Sequence, residues 1–275
     1  MTDDSKITSA VKLMSPQQLY ELWERQPWSA HDIDLEQDKA DWAALSGEQR
    51  DEILWVMSLF FIGEERVTTQ FSGLVMAYED EQEESYLTTQ QVDEARHMQF
   101  FDRYYREVFA FEEADIKARL QRVREHVTEP FVKLFDESLV QAGQRLIADP
   151  GDRGSKVDFV TAYHMVIEGT LALTGQNFLT RYFAERLQAF PGFVEGSARS
   201  RATSTATWRT GPGICSARQA IRRWPSAFRP RSPSCCPWPR ACWCRPGTRL
   251  ATNMCSSASP ARSRRSSLSP RCRAG

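Results

Sequence analysis

The sequence predicts an all-α fold, a bundle of long core helices covering about residues 10–196. Three observations carry that prediction. Apolar residues recur at helical spacing through this stretch. Alternating runs bounded by tight hairpin turns are missing from it. Its helix starts carry capping signatures, as at Ser15-Pro16-Gln17-Gln18, where Ser precedes a Pro at the first helical position and Gln follows three residues on.

The elements follow in order. Ser46 precedes a stretch from about 47 to 79 in which Ile53, Leu54, Val56, Met57, Leu59, Phe60, Phe61 and Ile62 cover most of the helix circumference, so this helix is expected to be buried on nearly all sides. A second long helix is expected at about 84–109, rich in aromatic residues from Tyr86 to Phe109. Stretches at about 113–126 and 129–147 read as two more, the latter opening near Pro130. Asp149-Pro150-Gly151-Asp152-Arg153-Gly154 is a turn. A last helix of about 156–188 stops before Pro191-Gly192.

Net charge divides the chain in two. The overall value of −1 averages 19 Lys and Arg against 36 Asp and Glu in residues 1–196 with 16 Arg and no Lys, Asp or Glu in residues 197–275. The two parts therefore carry −17 and +16. All seven cysteines and nine of the fourteen prolines fall in the second part. The division predicts a helical domain over 1–196 and an out-of-frame or disordered tail over 197–275. The polar, acidic start Met1-Thr2-Asp3-Asp4 has no apolar core after it, and no apolar run approaches a membrane span. A cytoplasmic location without membrane contact is the expectation.

Glu94 and His97 are the first candidate site residues. Their spacing of three puts both side chains on one helix face, and a carboxylate beside an imidazole suits iron or manganese. Glu64 or Glu65, Glu64 preferred, lies in the most apolar helix, and Glu168 follows His164-Met165-Val166-Ile167. Buried carboxylates are costly unless paired or metal-bound, and lone glutamates joined to a Glu-x-x-His pair build di-metal sites inside helix bundles. Glu64, Glu94, His97 and Glu168 are thus the expected metal ligands. His164 reads as a hydrogen-bonded histidine, and His31 and His126 as solvated ones. The stripe of Phe100, Phe101, Tyr104 and Tyr105 reads as packing.

Three motifs carry a family resemblance: Phe60-Phe61-Ile62-Gly63-Glu64-Glu65-Arg66-Val67-Thr68, Tyr86-Leu87-Thr88-Thr89-Gln90-Gln91-Val92-Asp93-Glu94-Ala95-Arg96-His97 and Tyr163-His164-Met165-Val166-Ile167-Glu168-Gly169. Together they resemble the ligand-binding oxidases related to the ribonucleotide reductase small subunit, over roughly residues 10–196. The resemblance implies a ferritin-like bundle, a manganese and iron cofactor (Mn/Fe or Fe/Fe), dioxygen activation beside a bound long-chain fatty acid, and a homodimer. It also implies a cross-link between Val67 and Tyr163. The alternative relative, a reductase small subunit, commonly has a radical tyrosine four residues past the first histidine ligand, where this chain has Phe101.

That family places a second Glu-x-x-His near position 203. This chain reads Arg201-Ala202-Thr203-Ser204-Thr205-Ala206 instead, so the bundle is expected to be incomplete. Loss of the last helices would leave Leu171 and Leu173 open to solvent. The composition of 197–275 resembles GC-rich DNA read in the wrong frame. Encoding Ser197 to Gly213 with GC-leaning codons and reading from the third base gives Arg-Ala-Ile-Ala-Arg-Asp-Glu-His-Arg-His-Leu-Ala-Tyr-Gly-Thr-Trp, which restores the motif in place. A frameshift near 196–197 is the reading adopted, and the chain as written is expected to be impaired or inactive. The other reading is an Arg-rich tail that binds nucleic acid nonspecifically. Cys235-Cys236 and Cys242-Trp243-Cys244 lack a zinc spacing.

Overall fold

The computed structural model describes residues 14–210, with side chains as far as residue 202. Among the described residues there is no strand. The helices are α1 (Pro16–Glu24), α2 (Glu36–Ala44), α3 (Gly47–Met76), α4 (Glu81–Glu107), α5 (Ile116–Val123), α6 (Glu129–Phe131), α7 (Val140–Ala148), α8 (Arg153–Val160), α9 (Leu173–Arg181) and α10 (Pro191–Thr210). Three π-helical stretches join them: Val132–Leu139 between α6 and α7, Thr161–Ala172 between α8 and α9, and Tyr182–Leu187 after α9.

Local chemistry explains the starts. Ser15 accepts from the Gln18 backbone N–H while the Gln18 side chain accepts from the Ser15 N–H, and Ser46 and Gln49 repeat this box at α3. Asp80 caps α4 by accepting from Gln82 and Glu83, each at 3.0 Å. In the expected turn, Asp152 accepts from Gly154 and opens α8.

Helix α3 is the axis of the bundle, packing on α4 and α7, while α1 and α10 lean on α4. Every residue from Trp55 to Glu64 is buried, matching the expectation of a helix enclosed on nearly all sides. Leu171, expected to be exposed, is only 2% exposed. It faces Leu59 and Phe60 of α3 and Phe135, with which it lines one cavity. The chain also goes on past the change in composition: α10 continues through 197 to Thr210 and packs on α4 and α9. No Gly or Pro interrupts 197–210, and Arg199 pairs with Glu195 one turn back. The tail from 211 on, including every cysteine, lies outside the described residues.

Entry into α10 is tightly determined. Phe190, fully buried, has φ 58°, a left-handed value uncommon for a side chain of this size. Its N–H donates to Asp41 at 2.7 Å. Asp38, also fully buried, accepts from the N–H groups of Gly192 and Phe193 and from the Tyr104 hydroxyl, each at 2.8 Å. A Cβ at Gly192 would lie 2.4 Å from the Asp34 carbonyl, so only glycine permits this approach. A Cβ at Gly196 would meet the Phe100 ring at 2.4 Å, which lets α10 sit close against α4.

Removing Asp38 leaves two helix N–H groups and a buried phenol unpaired. The Asp38→Ala variant should lose about 3 kcal/mol in urea unfolding, whereas Asp80→Ala, an exposed cap, should lose about 1 kcal/mol. Equal losses would show that the clamp on α10 has no special weight.

Candidate metal centre

Three elements bring carboxylates into the core. Helix α3 supplies Glu64, α4 supplies Glu94 and His97, and the π-helical stretch Thr161–Ala172 supplies Glu168. All four side chains are buried. Glu64, Glu94 and His97 each offer a donor atom, and these atoms lie within 4.8 Å of one another. His97 turns Nδ1 toward both carboxylates, 3.4 Å from Glu94 Oε2 and 3.5 Å from Glu64 Oε2. Glu65 points elsewhere, pairing with Arg66 and accepting from Thr69. Of the two adjacent glutamates, Glu64 is therefore the one that faces the core.

Glu168 stands outside this tight cluster but lines one cavity with Glu64, Val67 and Phe135. Tyr163 reaches in from the same stretch, its hydroxyl donating to Glu94 Oε1 at 2.5 Å. Five residues separate Tyr163 from Glu168. In an α-helix that spacing would splay them, but the π register stacks residues five apart, as Thr170 bonded to the Met165 carbonyl also shows. Val67 is buried on α3 one turn past Glu64. His164 is a core histidine, 3.4 Å from Gln90 Oε1.

The electrostatics fit a cation. Burial pushes the Glu64 carboxyl up to about 7, opposed by His97. Burial, reinforced by the charges of Glu94 and Glu64, raises Glu168 well above the usual carboxylate range. Burial also penalises Glu94, but contacts with His97, Glu64 and Tyr163 hold it below its ordinary value. Burial works against a protonated His97, and the two glutamates overcome it, lifting the imidazole well above 6.5. Glu94 Oε2 has no hydrogen-bond donor among the described residues. A cation among these oxygens and Nδ1 would satisfy all of them, and carboxylate with imidazole is a donor set for iron or manganese.

The wall opposite His97 is unlike the other three. There α10 presents Ser197 and Ser200, both buried, beside Gln176 of α9. Neither serine offers a carboxylate or an imidazole. Sequence reasoning missed this wall, because it expected the chain to lose its order at 197. It also missed Gln176, which nothing in the sequence sets apart from the neighbouring Asn177. Trp28, stacked on His97 with ring centroids 6.0 Å apart, had no local signal.

Residues 10–133 match the family model described as ribonucleotide reductase, small chain. Among solved structures the chain is similar to a valine-to-leucine variant of an R2-like ligand-binding oxidase with anaerobically reconstituted Mn/Fe cofactor, at 26% identity and TM-score 0.66, covering 76% of this chain and 74% of that one. A glycine-to-phenylalanine variant with aerobically reconstituted Mn/Fe cofactor is similar at 25% identity and TM-score 0.65, covering 80% and 75%. The fold is ferritin-like, its structural neighbours carry Mn/Fe cofactors, and its core holds a Glu/Glu/His set able to bind a metal.

His164 gives a prediction about acid. Burial depresses its pKa to about 4. A histidine with a depressed pKa contributes stability above its unfolded value near 6.5, and that contribution is lost as pH falls through the folded value. Between about pH 7 and pH 4.5, His164→Gln should therefore be spared about 2 kcal/mol of the loss seen in the unmodified chain by urea unfolding. Equal losses in both proteins would contradict this.

Proposed function

We propose that this chain, a ferritin-like protein carrying the ribonucleotide reductase small-chain domain over residues 10–133, derives from a di-metal oxidase that activates dioxygen beside a bound long-chain fatty acid. The observation that supports this most is the buried Glu64/Glu94/His97 cluster, with Glu168 on the same cavity. Glu64, Glu94, His97 and Glu168 are the proposed ligands, for manganese and iron. Bound metal would supply the redox capacity that side chains lack.

The remaining work belongs to the chain. Leu59, Phe60, Val67, Phe135, Ile167 and Leu171 give the cavity an apolar lining that ends at Glu64 and Glu168, an apolar approach to the proposed metal position. Those same side chains exclude water from the site. Tyr163 holds its proton toward Glu94 Oε1, so Glu94 is placed to receive it. In the proposed cross-link, the Tyr163 O–H and the Val67 Cβ–H are lost and an ether bond forms between them. Their two electrons and two protons pass to dioxygen. A homodimer and a cytoplasmic location are part of the same reading; among the described residues no helix is long and apolar enough to cross a membrane.

A reductase small subunit is the second reading. Against it stands Phe101, buried and stacked on Phe60 with centroids 5.7 Å apart, so no phenol is present at that position. Tyr104 and Tyr105, the nearest phenols on α4, are engaged by Asp38 and Ser58.

In the chain as written, the proposed second imidazole and fourth carboxylate are missing, and a shifted reading frame from about 197 accounts for this. The chain should bind a single metal and fail to turn over dioxygen. Resequencing codons 190–215 tests the frame directly. Protein with the frame restored, loaded with manganese and iron and exposed to air, should lose a pair of hydrogens by intact-mass measurement, and Val67→Ala should abolish that loss. Oxidase turnover by the chain as written, with two tightly held metals, would overturn the proposal.

A further inference from the structure

A second cavity lies on the far side of His97, between α4, α9 and α10. It is lined by His97, Gln176, Ser197 and Ser200, under the rings of Phe60 and Phe193. Two of its polar atoms, His97 Nε2 and Gln176 Oε1, have no hydrogen-bond partner among the described residues. His97 is 3% exposed and Gln176 is 7% exposed, so bulk water does not serve either. Leaving a buried polar atom unpaired is costly, and two facing one cavity point to an occupant.

Ring geometry fixes what His97 requires. Its Nδ1 faces Glu64 and Glu94, and Nε2, across the ring, faces this cavity. An imidazole that coordinates through one nitrogen carries its proton on the other, and that N–H is as a rule held by a carboxylate, a carbonyl or a water. Among the described residues no carboxylate lines the cavity. The occupant must accept from an imidazole N–H and donate to an amide oxygen. Water does both. A carboxylate cannot donate, an ammonium ion cannot accept, and a hydrocarbon does neither. The nearby Ser197 hydroxyl is already paired with Thr180 at 3.0 Å.

We propose that Gln176 is a positioning residue for the His97 imidazole, acting through one water molecule held between Gln176 Oε1 and His97 Nε2. The bridge fixes the tautomer and the plane of the ring, so Nδ1 is presented to the metal position already aligned. This inference rests on the metal reading given above. It adds a residue from α9 that touches neither metal nor substrate. It also explains why a buried amide faces the ring of His97 across this chamber.

The test is a Co2+ titration of the full 275-residue chain, followed by visible absorption and by the hyperfine-shifted, exchangeable imidazole N–H proton. Gln176→Leu should weaken Co2+ binding about tenfold and speed exchange of that proton. Gln176→Glu, which keeps an acceptor in place, should retain both. The thermal midpoint of the metal-free proteins separates this from a merely structural role, which would move the midpoint and leave the N–H signal alone. If Gln176→Leu does not fold, Gln176→Met makes the same comparison. Unchanged affinity and exchange in the apolar variant would overturn the inference while leaving the metal reading intact. A chain that takes up no Co2+ at all would overturn both.

Discussion

Three glutamates and one histidine share the interior of this bundle, and the free energy of keeping that charge out of water governs the rest of the structure. A carboxylate moved into an apolar core without a partner costs several kcal/mol. In the metal-free chain the cost is reduced by raising proton affinities at Glu64 and Glu168 and by setting His97 between Glu64 and Glu94. Protons are a poor substitute for a divalent ion, because each neutralises one oxygen and holds none of the others in place. The surrounding core is built around the same point: Phe71 packs edge-on to Tyr163, Trp28 stacks on His97 and Phe135 lies over Gly63.

Two backbone features aim the side chains. The π-helical stretch Thr161–Ala172 carries both Tyr163 and Glu168, so one helical stretch serves Glu94 and the shared cavity together. Such stretches are rare and concentrate at functional sites. The second feature is the clamp at Asp38, which draws the N-terminus of α10 onto α2 and closes the fourth side of the site. That fourth side is geometrically sound and chemically blank. Its backbone follows a helical path against α4, yet the residues facing His97 are serines.

Much of this was legible in the sequence, for definite reasons. The enclosed character of α3 followed from apolar residues on every side of Ile53–Ile62, and the capping boxes at Ser15 and Ser46 located two helix starts. Glu94 and His97 were readable because a spacing of three has one meaning on a helix. Glu64 rather than Glu65 faces the core, with Glu65 paired to the neighbouring Arg66. What escaped was whatever depends on register or distance. A period of 3.6 cannot anticipate a π stretch, so the pairing of Tyr163 with Glu94 had no sequence signal. The burial of Leu171 was misjudged because it faces Leu59, Phe60 and Phe135 rather than the segment beyond 197. No Gly or Pro interrupts Ser197–Thr210, and Asp38 and Gly192 had already set the direction.

The central claim is that the core site of this chain is half of a di-metal centre. The most direct measurement is the stoichiometry of Mn2+ bound to the full chain, by equilibrium dialysis with electron paramagnetic resonance of the bound ion. A single site, lost in both Glu94→Ala and His97→Ala, is the predicted result. Two equivalent and magnetically coupled ions, or binding indifferent to both substitutions, would contradict it.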